Sequence, residues 1–402
     1  MADDSSPDRP DGGEPNPFAG FPMFGDLARA LQGQGPLNWD AARQFAMLGA
    51  TEGQPEHNVD PAVRIAYGEL ARIAGMHVND VTGADTTFPE PRIVTRSQWA
   101  AETLDAYRPL FTDLATSLGQ PPDDQGVDQG VDAGDPMLQM MAGISKMMQP
   151  AMMGMSVGSM VGALSKRVFG LHDLPIPRGK QEVVLVGRTI DDFASQWAIP
   201  LDQMRLWVLA HELSGYQVFA VDHVREALAS LVREYAGGFR PDPTSLADQL
   251  GGFDPMAGGA DDPFQALQQA FSDPEVLLGA VQSPEQRALR PRLDAAVAAV
   301  VGYTDWVVDA VAVRVIGGEA LRVAEAVRRQ RVERTPDDVF VEKLLGIRVG
   351  EDQVARGKSF VQGIVDRVGE HELSRLLRLP DALPTPSEIE APGLWIARVS
   401  GE

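Results

Sequence analysis

The sequence predicts a mainly α-helical fold with few short strands. Three observations carry this expectation. Helix-start signals recur along the chain, at Asn38, Asp60-Pro61, Ser283-Pro284-Glu285-Gln286 and Thr335-Pro336. Apolar residues follow these signals at intervals of three and four, the period of a helix with one buried face. The best strand candidate is one short stretch, Glu182-Val183-Val184-Leu185-Val186-Gly187.

In chain order, residues 1–20 are acidic and rich in Pro and Gly, with too little apolar area to offset the entropy of ordering them. They are expected to be a disordered N-terminus, with residues 21–402 forming a single domain. Asn38 is placed to cap a helix carrying Ala41, Ala42, Phe45 and Leu48. Asp60-Pro61 opens a second helix through Val63, Ala66, Tyr67, Leu70 and Ile73. Ser97 opens a third, running to Leu118. Mobile loops are expected near 119–136 and 237–262, where Gly, Asp and Pro dominate.

Nine methionines lie between Met137 and Met160, and Gly154, Gly158 and Gly162 recur every four residues. That spacing makes a helix face without side chains, open to close approach by another helix. A membrane span is disfavoured because Lys146, Gln149 and Pro150 interrupt the apolar run, which falls short of the roughly 20 residues a bilayer needs. A flexible peptide-binding groove through Met152, Met153 and Met155 is the bolder reading, and a buried core helix the plainer one. Thr189 is placed to cap a short helix ending near Trp197. Pro200 starts the next helix, Asp222 is placed to cap its continuation, and Pro380 to Pro392 reads as an extended tail.

Composition narrows the function. The 402 residues carry a formal charge of -22 and no cysteine. Such acidity excludes a nucleic-acid partner, which needs a basic surface that releases counterions. The Arg-rich run from Arg322 through Arg328, Arg329, Arg331 and Arg334 has helical spacing and reads as a solvated helix face. Absence of cysteine removes disulfides, thiolate ligands and thiol nucleophiles. The first 17 residues lack the basic and apolar regions of a secretion signal, so cytoplasmic residence is expected. No transmembrane segment is expected, and the anticipated partner is an unidentified protein or peptide.

The stretch with chemical content is Trp207-Val208-Leu209-Ala210-His211-Glu212-Leu213-Ser214-Gly215. In the zinc-hydrolase pattern His-Glu-x-x-His, two imidazoles one turn apart bind a metal and the Glu activates its water. Gly215 stands where the second imidazole belongs. His211 is thus one candidate ligand and Glu212 a general base or a vestige of one. A second His-Glu pair, His371-Glu372, is followed at the fourth position by Arg375 and is no better placed. His223 on a continuous helix would be turned about 120° from His211 and lie about 18 Å away, so only a chain reversal near Val221 would bring it in. Asp305 and Asp309 are carboxylates that folding could set opposite His211. Ser214 lacks the Gly-x-Ser-x-Gly elbow of a hydrolase nucleophile.

Four stretches together carry a family resemblance: Gly170-Leu171-His172-Asp173-Leu174-Pro175, Arg205 to Glu212, Gly302-Tyr303-Thr304-Asp305-Trp306-Val307-Val308-Asp309, and Leu383-Pro384-Thr385-Pro386-Ser387-Glu388-Ile389. With them the chain resembles an actinobacterial family of zincin-like proteins, labelled zinc-dependent metalloproteases or hydrolases. Some relatives of that family are linked by name with deazaflavin-coenzyme biosynthesis. The resemblance implies a zincin-like helical metallopeptidase fold, with His211 as first zinc ligand and Glu212 as general base. It also implies a Glu ligand where this chain has Val301. With Gly215 and Val301 both lacking donors, the expectation is a member that has lost zinc and peptidase activity and acts as a scaffold or binding protein, with no cofactor. The alternative is an active zinc hydrolase with an unconventional ligand set, His211 with a carboxylate such as Asp305, and Glu212 as base.

Overall fold

The computed structural model describes residues 35–118, 136–239, 283–333, 336–347 and 349–401. The predicted disorder at 1–20 lies outside these residues, as does nearly all of the loops expected near 119–136 and 237–262. In order, the elements are α1 (Trp39–Thr51), α2 (Pro61–Thr82), β1 (Arg92–Val94), α3 (Arg96–Ala106), α4 (Arg108–Leu118) and α5 (Pro136–Leu164). Then follow β2 (Val184–Val186), α6 (Gly187–Gln196), α7 (Leu201–Ala220), α8 (Asp222–Gly237) and α9 (Pro284–Val315). The chain finishes with α10 (Ala320–Val332), α11 (Pro336–Leu345), α12 (Glu351–Val368), α13 (Arg375–Arg378), α14 (Pro386–Glu390) and α15 (Pro392–Ser400). The mainly helical expectation holds.

Several starts form as the sequence dictates. The Asn38 side chain accepts from Ala41 N at 3.0 Å and that of Asp60 from Ala62 N at 2.8 Å. Ser283 and Gln286 form the reciprocal capping box. The glycine face of α5 lies against α1: a Cβ at Gly154, Gly158 or Gly162 would run into the carbonyl oxygens of Asn38, Ala42 and Ala46 respectively. Met153 and Met160 are buried there, so this end of the Met-rich segment is a core helix.

Five expectations need correction. The segment expected as one helix from Ser97 to Leu118 is two, α3 and α4, separated at Tyr107. Its cap is Thr95, in a box with Gln98. The strand β1 was not anticipated; it pairs in parallel with β2, Ile93 opposite Leu185. Thr189 is not a cap, because α6 begins at Gly187 straight out of β2; its hydroxyl instead donates to Ser165 O at 2.9 Å. Asp222 makes no cap bond and pairs with Arg225. The C-terminal segment is not an extended tail, since Thr385 and Glu388 box the start of α14 and Trp395 of α15 is buried with its Nε1 donating to Ala382 O.

At the centre stands α7, with 14 of its 20 residues buried. A helix buried on all sides belongs to the middle of a core. It packs on α2, α6, α8, α9 and α10. Its long neighbour α9 is, among the described residues, the one helix apolar and long enough to cross a bilayer, and 72% of its most apolar window is buried inside the fold, as in a core helix. α9 and α12 cross where Gly302 meets Gly357 backbone to backbone.

Candidate functional site: a closed centre on the buried helix

β2 brings the chain past α7. Gly170 bridges to Leu185 of β2, and Trp99 Nε1 donates to Gly170 O at 3.0 Å, which fixes the loop at 170–173 against α7. There the Glu212 carboxylate, fully buried, accepts three hydrogen bonds: from Leu171 N at 3.1 Å, His172 N at 2.9 Å and His172 Nδ1 at 2.8 Å. A Cβ on Gly170 would collide with this carboxylate. Glycine is therefore required at 170 by the closeness of Glu212.

The gap beside Gly215 is filled by His172. A Cβ at Gly215 would stand 2.5 Å from both Cβ and Cγ of His172. The His172 ring stacks on Phe219, one turn beyond Gly215, with ring centroids 5.7 Å apart. One turn before Gly215, His211 stacks on Trp207 at 5.6 Å. Along this stripe of α7, an imidazole from the loop thus occupies the space above the position where the motif would supply its own.

His211 Nε2 faces α10. Arg331 NH2 lies 3.3 Å from it, and Arg331 NH1 lies 3.0 and 3.2 Å from the two Asp305 oxygens. A hydrogen bond from the guanidinium takes the Nε2 lone pair, so the ring proton sits on Nδ1, which is 3.9 Å from Glu212. Arg331 is not part of a solvated face, as the sequence suggested for the whole run. Arg322, Arg328 and Arg329 are exposed and pair with Glu319 and Glu325, but the Arg331 side chain is 18% exposed and turned inward.

Electrostatics follow the geometry. Burial alone would raise the Glu212 pKa, but the His172 charge and hydrogen bond, with a smaller effect of His211, hold it well below the ordinary 4.5. Asp305 is likewise opposed by burial, and Arg331, Lys358 and His211 together lower it. Burial disfavours the Arg331 charge, yet Asp305, Asp173 and Asp309 more than offset that and raise its pKa. A carboxylate with a depressed folded pKa binds fewer protons than in the unfolded chain, so its stabilisation is complete above the unfolded value and is lost as pH falls through the folded one. The urea midpoint is accordingly expected to stay level near neutrality and to decline as pH drops below about 4.5, which urea titrations across pH 7 to 3 will check.

A general base works best with a pKa near the operating pH and a free lone pair aimed at its proton. Glu212 has neither. Catalytic zinc takes three protein ligands and an open position. His211 and Asp305 meet only through the guanidinium between them, Gly215 and Val301 carry no donor, and among the described residues no three His, Asp or Glu are placed to hold a metal ion. The residues present therefore do not fit a zinc ion.

Other candidates lie apart. Val301 is buried in α9, one turn before Asp305, and Asp309 pairs with Lys358 at 2.8 Å. α7 does end at Val221, as His223 would require, but His223 Nε2 is buried without a partner. Ser214 donates to Ala210 O within α7. His371-Glu372 sits in an exposed 3₁₀ turn. The residues that sequence reasoning missed are His172 and Arg331. His172 stood in one of the four marked stretches without a role. For Arg331 the signal was periodicity, because Val323, Val327 and Arg331 follow one stripe at four-residue intervals, and the first two are buried.

The family model described as zincin-like metallopeptidase matches residues 37–396. Among solved structures, the chain is similar to a crystal structure from Chloroflexus aurantiacus called "a putative hydrolase with a novel fold". The TM-score is 0.59 at 22% identity, over 91% of this chain and 99% of that one. At this identity the likeness shows the fold alone. A comparison with curated proteins gives no match.

Proposed function

The chain belongs to the zincin-like metallopeptidase family, and we propose that it is a member without catalysis, a scaffold or binding protein built on the closed centre of a metallopeptidase. The observation that carries this reading is the state of Glu212. Its carboxylate is fully buried, is bound by two backbone N–H groups and one imidazole of a single loop, and is held well below the pKa a general base needs. The residue that would be the general base instead holds a loop in place. The second imidazole position is blocked by His172, so the pair of changes supports one outcome.

No zinc is proposed for this member, and its partner is proposed to be a protein or peptide, in keeping with a charge of -22 that repels polyanions. The narrower resemblance to actinobacterial members linked with deazaflavin-coenzyme biosynthesis is proposed on the sequence marks alone. The competing hydrolase reading gains one point, because Asp305 does come to the His211 side of the centre. An assay separates the two. Wild-type protein, incubated with a peptide library and with activated esters in the presence of added zinc, is expected to give no turnover above the Glu212→Ala variant. Turnover that depends on Glu212 would reject the non-catalytic reading.

A further inference from the structure

We infer that Arg331 is a resident cation that has taken over the place and charge of a metal between His211 and Asp305. The inference deepens the proposed function and rests on its reading of the centre as free of zinc. Three observations carry it. The guanidinium bridges the two groups that keep ligating capacity, His211 Nε2 at 3.3 Å and the Asp305 oxygens at 3.0 and 3.2 Å. The two groups come from two elements, α7 and α9, and Arg331 reaches them from a third, α10, so it ties together the two helices that a metal ion there would tie together. And the surroundings call for positive charge: Asp305, Asp173 and Asp309 all act on Arg331, whereas Lys358 is the cation that pairs with Asp309.

An ordinary Asp-Arg pair leaves the imidazole out. Here the guanidinium also takes the Nε2 lone pair, the electron pair that would bind a metal. The group suits this task because it is planar, always charged and able to donate along two edges. Beside it lies a cleft of about 110 Å³ whose lining includes Phe169, Asp173, Val327 and Arg331. Removal of Arg331 would leave an imidazole and a two-oxygen carboxylate without their shared partner, a donor pair suited to a borderline divalent ion completed by water.

The test uses cobalt(II), whose visible spectrum reports coordination, added to full-length protein. Arg331→Ala is expected to bind about one cobalt per chain and to melt at higher temperature with the metal than without it. Wild type and Arg331→Lys, which keeps a cation in place, are expected to bind none. Adding His211→Ala to Arg331→Ala should weaken cobalt binding at least about tenfold. Should Arg331→Ala fail to fold alone, recovery of the fold on refolding with cobalt supports the inference, and no recovery overturns it. A folded Arg331→Ala that ignores cobalt, or a wild type or Arg331→Lys that binds it equally well, also overturns it. Glu212-dependent hydrolysis by the wild type would reject the proposed function instead, so the two failures are distinguishable.

Discussion

Glu212→Gln is expected to destabilise the protein by about 3 kcal/mol, read as a lower urea midpoint at unchanged m-value. The carboxylate offers acceptors on both oxygens: Oε1 receives His172 N, and Oε2 receives Leu171 N and His172 Nδ1. An amide has one oxygen and one NH₂ in the same shape. With the oxygen at the Oε2 place, NH₂ meets the His172 backbone N–H. Turned over, NH₂ meets the Leu171 N–H, while the His172 ring can change tautomer. In both orientations a buried backbone donor loses its partner, and the charge that strengthened all three bonds is gone. The variant distinguishes two roles for the same residue. A general base replaced by its amide loses activity and keeps stability, as the sequence motif alone would lead one to expect. A melting curve superimposable on wild type would sink the assignment of Glu212 to the fold.

Gly215→His, the substitution that completes the motif, is expected to cost about 3 kcal/mol and to bring no zinc. The cost lies in the first carbon of the side chain. A Cβ at 215 stands 2.5 Å from His172 Cβ and Cγ and 3.0 Å from Cδ2. The ring cannot swing aside freely, since Glu212 holds Nδ1 and Phe219 covers its face. Gly215→Ala should therefore show much of the same loss, although alanine is the better helix former by about 1 kcal/mol. His172→Ala combined with Gly215→Ala should be less destabilised than the sum of the single variants, because the clash has only one site. Additive effects in that double-mutant cycle would mean that the two positions do not compete for space.

Features set by local chemistry were legible in the sequence. Asn38, Asp60 and Ser283 cap helices because their side chains reach backbone N–H groups two or three residues on, and the Gly154-Gly158-Gly162 face found its partner because a bare helix surface admits a close one. The break at Tyr107 has a local signal that was passed over, Pro109 at the second position of α4, which has no N–H to continue the preceding turn, whereas the short β1 escaped because it exists only by pairing with β2. The same division runs through the site. His211 and Glu212 were visible as a pair on one helix. What they do is decided by a loop 40 residues earlier and by an arginine 120 residues later, and no spacing rule on α7 encodes either. Arg331 was hidden by company. Its neighbours Arg328 and Arg329 are solvated, and a run read as a unit obscured the one member on the apolar stripe.

The zinc content of the wild-type protein, purified without chelators and with no metal added, tests the central claim most directly. A centre whose imidazole lone pair is held by Arg331 and whose Glu212 is bound into a loop predicts far less than one zinc per chain. One zinc per chain, lost when His211 is changed to Ala, would contradict it.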